Sequence, residues 1–123
     1  MENDIYTVHC YDRYSMKNSP ASLFGTFYTE LAALDAISDW VREELVKCAA
    51  KWNKLPSQEE RRIKLTQYLI NTFNNCQQTF QSIETINNFL NSNDYVSVSR
   101  RATPKKFTIT RYKFNEILLI EKD

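Results

Sequence analysis

Apolar and polar residues alternate from Ile5 to Tyr14, with Ile5, Thr7, His9 and Tyr11 on one side and Tyr6, Val8, Cys10 and Asp12 on the other. Period two over ten residues rich in aromatic and β-branched types predicts a strand. The polar stretch Ser15–Ser22 carries turn residues, and Leu23–Tyr28 is a second extended run, so the pattern predicts a β-hairpin with a longish loop. Cross-strand aromatic pairs, Tyr6 or Tyr11 opposite Phe24 or Phe27, would stabilise it.

The period then changes. Thr29 is placed to cap a helix with Glu30 in its first turn, where a carboxylate meets the positive end of the helix dipole. Leu31, Leu34, Ile37, Val41, Leu45, Cys48 and Trp52 recur at three- and four-residue steps, and Ala33, Ala36 and Trp40 widen that stripe. A stripe this wide calls for two neighbours, the sheet and another helix. It predicts at least a weak homodimer if the second helix leaves Trp40 uncovered.

Asn53–Pro56 breaks the pattern, and Ser57-Gln58-Glu59-Glu60 has the spacing of a capping box for a second helix. That helix carries Ile63, Leu65, Leu69, Ile70 and Phe73 and runs to about Asn75. Ser82 can cap a third helix with Ile83, Ile86, Phe89 and Leu90, stopped by Asn91–Asp94. Tyr95–Ser99 and Lys106–Phe114 each alternate and flank the turn-forming stretch Arg100–Lys105, which predicts a second hairpin. The tail Ile117–Ile120 either extends the last strand past a bulge near Asn115 or forms a short edge strand, and the pattern does not choose. The order is ββ, two or three helices, ββ. Runs of like elements predict an α+β fold, an antiparallel sheet of about four strands with helices on one face.

Composition sets bounds on this picture. A length of 123 residues suits one domain, 1–123, and 42% hydrophobic with 25% charged residues is a globular composition. A net charge of +1 removes any global electrostatic pull on nucleic acid or membrane. Three widely spaced cysteines do not make a disulfide framework, the start Met1-Glu2-Asn3-Asp4 is acidic, and no apolar run approaches the roughly 18 residues of a membrane span. The expectation is a cytoplasmic protein, of a cell or of a host cell. Gly25 is the single glycine where average usage would give about eight or nine, so glycine-rich phosphate loops are excluded.

Candidate chemistry is thin. His9 and Cys10 are adjacent, but strand neighbours point to opposite faces, and the same parity separates His9 from Asp12. His9, Cys10, Cys48 and Cys76 show none of the short ligand pairs that hold zinc. Asp35 and Asp39 stand one helical turn apart, but Arg42 lies three residues beyond Asp39 and Glu43 four before Lys47, the spacing of a solvated charged face. No nucleophile elbow or SxxK element is present. The chain is expected to be no enzyme and to need no cofactor or metal.

Two surfaces stand out. No acidic residue lies between Asp94 and Glu116, a stretch that holds Arg100, Arg101, Lys105, Lys106, Arg111 and Lys113, with Tyr95, Tyr112 and Phe114 interleaved. Such a hairpin could follow phosphates and stack bases, meet an acidic protein groove, or protect a sheet edge. Alternation weakens the first reading, because Phe107, Ile109, Arg111 and Lys113 share one face while Lys106, Thr108, Thr110, Tyr112 and Phe114 share the other. The second surface is the tyrosine-rich N-terminal hairpin, where Tyr11, Arg13 and Tyr14 run into a loop and are residue types that anchor interfaces. The expected function is a non-enzymatic protein-binding module, an inhibitor or adaptor that occupies a partner's surface. The alternative is a nucleic-acid or nucleotide binder using the basic hairpin.

Overall fold

Ile5–Asp12 forms the strand predicted by its alternation (β1), and among the described residues it lies in the middle of a three-stranded antiparallel sheet. The computed structural model describes residues 4–12, 21–76, 82–99 and 104–113. On one side β1 pairs with Ser22–Phe27 (β2), and on the other with Pro104–Tyr112 (β3), giving the order β2-β1-β3. Between β2 and β3 the described residues form four helices: Glu30–Trp52 (α1), Glu60–Cys76 (α2), Ile83–Leu90 (α3) and Asn93–Val98 (α4). The α+β class stands. The count of about four strands and the closing ββ pair do not, because the described residues hold three strands and the last of them pairs with β1.

The reason lies in Tyr95–Ser99, expected as a strand and found as the body of α4. Ser92 caps this helix, its hydroxyl accepting from the Tyr95 N–H at 3.3 Å. Tyr95 and Val98, three apart, are both fully buried, and the Tyr95 ring packs on Phe89 with centroids 5.1 Å apart. Over five residues, alternation and helical spacing both fit, so the ends decide. The indole N–H of Trp52 donates to Val98 O at 2.9 Å and Arg62 Nε donates to Ser97 O at 3.2 Å. Side chains from α1 and α2 thus satisfy carbonyls at the end of α4 that a helix leaves without partners. The Arg62 guanidinium also lies 5.0 Å from the Trp52 ring centroid.

The other helices follow their local signals with two changes. Thr29 and Ser82 cap α1 and α3 as expected, accepting from Ala32 N–H at 3.0 Å and Thr85 N–H at 3.2 Å. The second helix starts at Glu60, two residues later than a capping box on Ser57 would put it. The Leu55 carbonyl accepts from both Gln58 and Glu59 N–H, which holds Ser57 inside a turn, while the Glu59 carboxylate takes Arg62. Leu31 remains 63% exposed, so the buried stripe of α1 begins one turn later at Leu34. Periodicity tells which side of a helix is apolar, but not how far its neighbours extend. Buried Ser38 and Thr66 return their hydroxyls to the carbonyls of Leu34 and Arg62, four residues back.

Strand β2 carries a bulge. Val8 opposes Gly25 and His9 opposes Leu23, which leaves Phe24 as the extra residue. The shift turns Phe24 inward, where its ring meets Phe107 edge-on at 5.2 Å, and puts Leu23 on the opposite face at 62% exposure. A Cβ on Gly25 would lie 2.9 Å from Phe27 Cζ, so the one glycine makes room for the Phe27 ring across the strand. Opposite Phe27 stands Tyr6, one of the expected aromatic pairs. The core joins Val8 and Phe107 of the sheet to Leu34, Ile37, Val41, Leu45, Leu69, Ile86, Leu90, Tyr95 and Val98. Trp40 packs on it half-buried, 5.7 Å from Phe107, so the sheet takes up this ring.

Candidate interaction surface on the outer sheet face

Strand alternation gives the sheet a second face. Pairing places its residues in rows: Ile5 beside Tyr112; Thr26, Thr7 and Thr110 across all three strands; Leu23, His9 and Thr108; and Tyr11 beside Lys106. The apolar members Ile5, Tyr11, Leu23 and Tyr112 all lie outside the core cluster. Lys106 is the one formally charged side chain among the described residues of these rows, and its Nζ sits 4.9 Å from the Tyr11 ring centroid. That contact is a cation–π pair. At the centre of the face, Thr7 Oγ1 is enclosed with no hydrogen-bond partner among the described residues.

Of the candidate residues, the structure therefore brings Tyr11 and Lys106 together and places Tyr112 on the same face, in the row next to Thr7 and Thr110. Arg111 lies on the other side of β3, exposed, with its Nε donating to Asp4 Oδ2 at 2.7 Å. That carboxylate, with Tyr6 and Glu30 further off, raises the guanidinium above its ordinary value. Lys113 follows β3 directly and is exposed. Lys105 belongs to β3, and its side chain lies outside the described residues, as do Arg13, Tyr14, Arg100, Arg101 and the tail Ile117–Ile120. No continuous basic stripe runs along the described part of β3.

Sequence reasoning missed Leu23 as a member of this face, because an unbroken strand would keep it beside Gly25 and Phe27. The available signal was Gly25 itself, since a lone glycine within a strand marks a bulge or a close approach. It also missed the threonine row, which needs the strand order to be seen.

Elsewhere several titratable groups pair locally along the helices. Asp39 pairs with Arg42 at 2.9 Å, and Lys47 takes Glu44, three residues before it, at 3.2 Å. Burial pushes the Cys48 thiol above 9.0, Glu44 adds to this and Lys51 opposes it, which is the reverse of what a reactive thiolate needs. A cleft between the start of α2 and α4 is lined by Glu59, Glu60, Arg62, Lys64, Asp94 and Ser97, but Arg62 is held by Glu59 and Ser97, and Lys64 by Glu60. Among the described residues no group of three or more His, Cys, Asp or Glu is placed to hold a metal ion, and no helix is long and apolar enough to cross a membrane. Comparison with known proteins found no match: no family model, no curated protein and no solved structure.

Proposed function

We propose that the protein is a non-enzymatic protein-binding module, acting by occupying a partner's surface, and that the outer sheet face is its contact. One observation carries this reading: the face presents Tyr11, Leu23, Ile5 and Tyr112 around four threonines, with Lys106 as the single formal charge among its described residues. A nearly neutral face with aromatic and aliphatic anchors suits a protein surface better than a polyanion, because binding energy then comes from buried apolar area and hydroxyl hydrogen bonds rather than from phosphate neutralisation. The enclosed Thr7 hydroxyl gains a partner if binding turns it outward.

The nucleic-acid reading draws on the Tyr11–Lys106 stack and the aromatic Tyr112, with Arg100, Arg101, Lys105 and Lys113 as flanking cations. It is the weaker of the two because Arg111 faces the other way and is tied to Asp4. A photo-crosslinking side chain placed at Leu23, and in a control at exposed Val46 of α1, separates the readings. The expected result is a protein adduct from position 23 alone that survives nuclease. An adduct removed by nuclease, together with oligonucleotide binding that falls steeply with salt, would replace this reading with the second.

A further inference from the structure

We draw no further inference here: the strongest candidate, the cleft between the start of α2 and α4 lined by Arg61, Arg62, Lys64, Asp94 and Ser97, is a helix N-terminus whose Arg62 and Lys64 are held by Glu59, Ser97 and Glu60, and no unpartnered buried polar side chain among the described residues lines it to point to a ligand.

Discussion

At the scale of single residues, Gly25 and Phe27 form one unit. The glycine is needed for space, because the Phe27 ring crosses where a Cβ would sit, 2.9 Å from Cζ. Gly25→Ala should cost about 1–2 kcal/mol as the ring is pushed from its place, an overpacking effect only partly offset by the stiffer unfolded chain. In a Phe27→Leu background the same change should cost less or stabilise, and urea unfolding of the four proteins measures that coupling. Cys48 offers a pH effect with a defined sign. Its folded thiol ionises above 9.0, so as pH rises past that value the unfolded chain ionises first and stability falls. Below about pH 9 the thiol is protonated in both states and contributes no slope. Cys48→Ala should remove part of the alkaline decline, read from midpoints on either side of pH 9.

At the scale of elements, α4 shows how a short segment is decided from its ends. Six residues make too few internal hydrogen bonds to hold a helix alone. The Ser92 hydroxyl at one end, and Trp52 with Arg62 at the other, supply the missing partners. Ser92→Ala should therefore cost about 1 kcal/mol, within the usual range for a lost cap, with the loss visible in faster amide exchange at Tyr95. Strand β2 illustrates the same dependence. Its bulge at Phe24 supplies the core with one ring and the outer face with Leu23.

For the whole molecule, the sheet divides into a face packed on the core and an outer face whose apolar members lie outside the core cluster. Phe107 touches Phe24 and Trp40 and is 1% exposed, so Phe107→Ala should cost about 3–5 kcal/mol. Leu23→Ser, on the other face, should move stability by no more than about 0.5 kcal/mol, as for other exposed sites, while weakening capture of a protein partner. Equal losses at the two positions in thermal unfolding would mean that the outer face is also structural.

How much of this was legible in the chain follows from the range of the forces involved. The faces of β1, the register of α1 and the Thr29 and Ser82 caps could be read directly, because side-chain parity and capping bonds act within about four residues. Tyr11 could likewise be assigned to the side of Thr7 and His9. What the tertiary structure alone decided was partnership. Tyr95–Val98 became a helix because Trp52, 46 residues from Val98, holds its last carbonyl. With that segment gone as a strand, β3 pairs with β1, placing Lys106 beside Tyr11 and aligning Thr110 with Thr7 and Thr26. Such choices depend on burial and hydrogen bonds between distant segments, which compete on nearly equal terms and leave no periodic trace in the sequence.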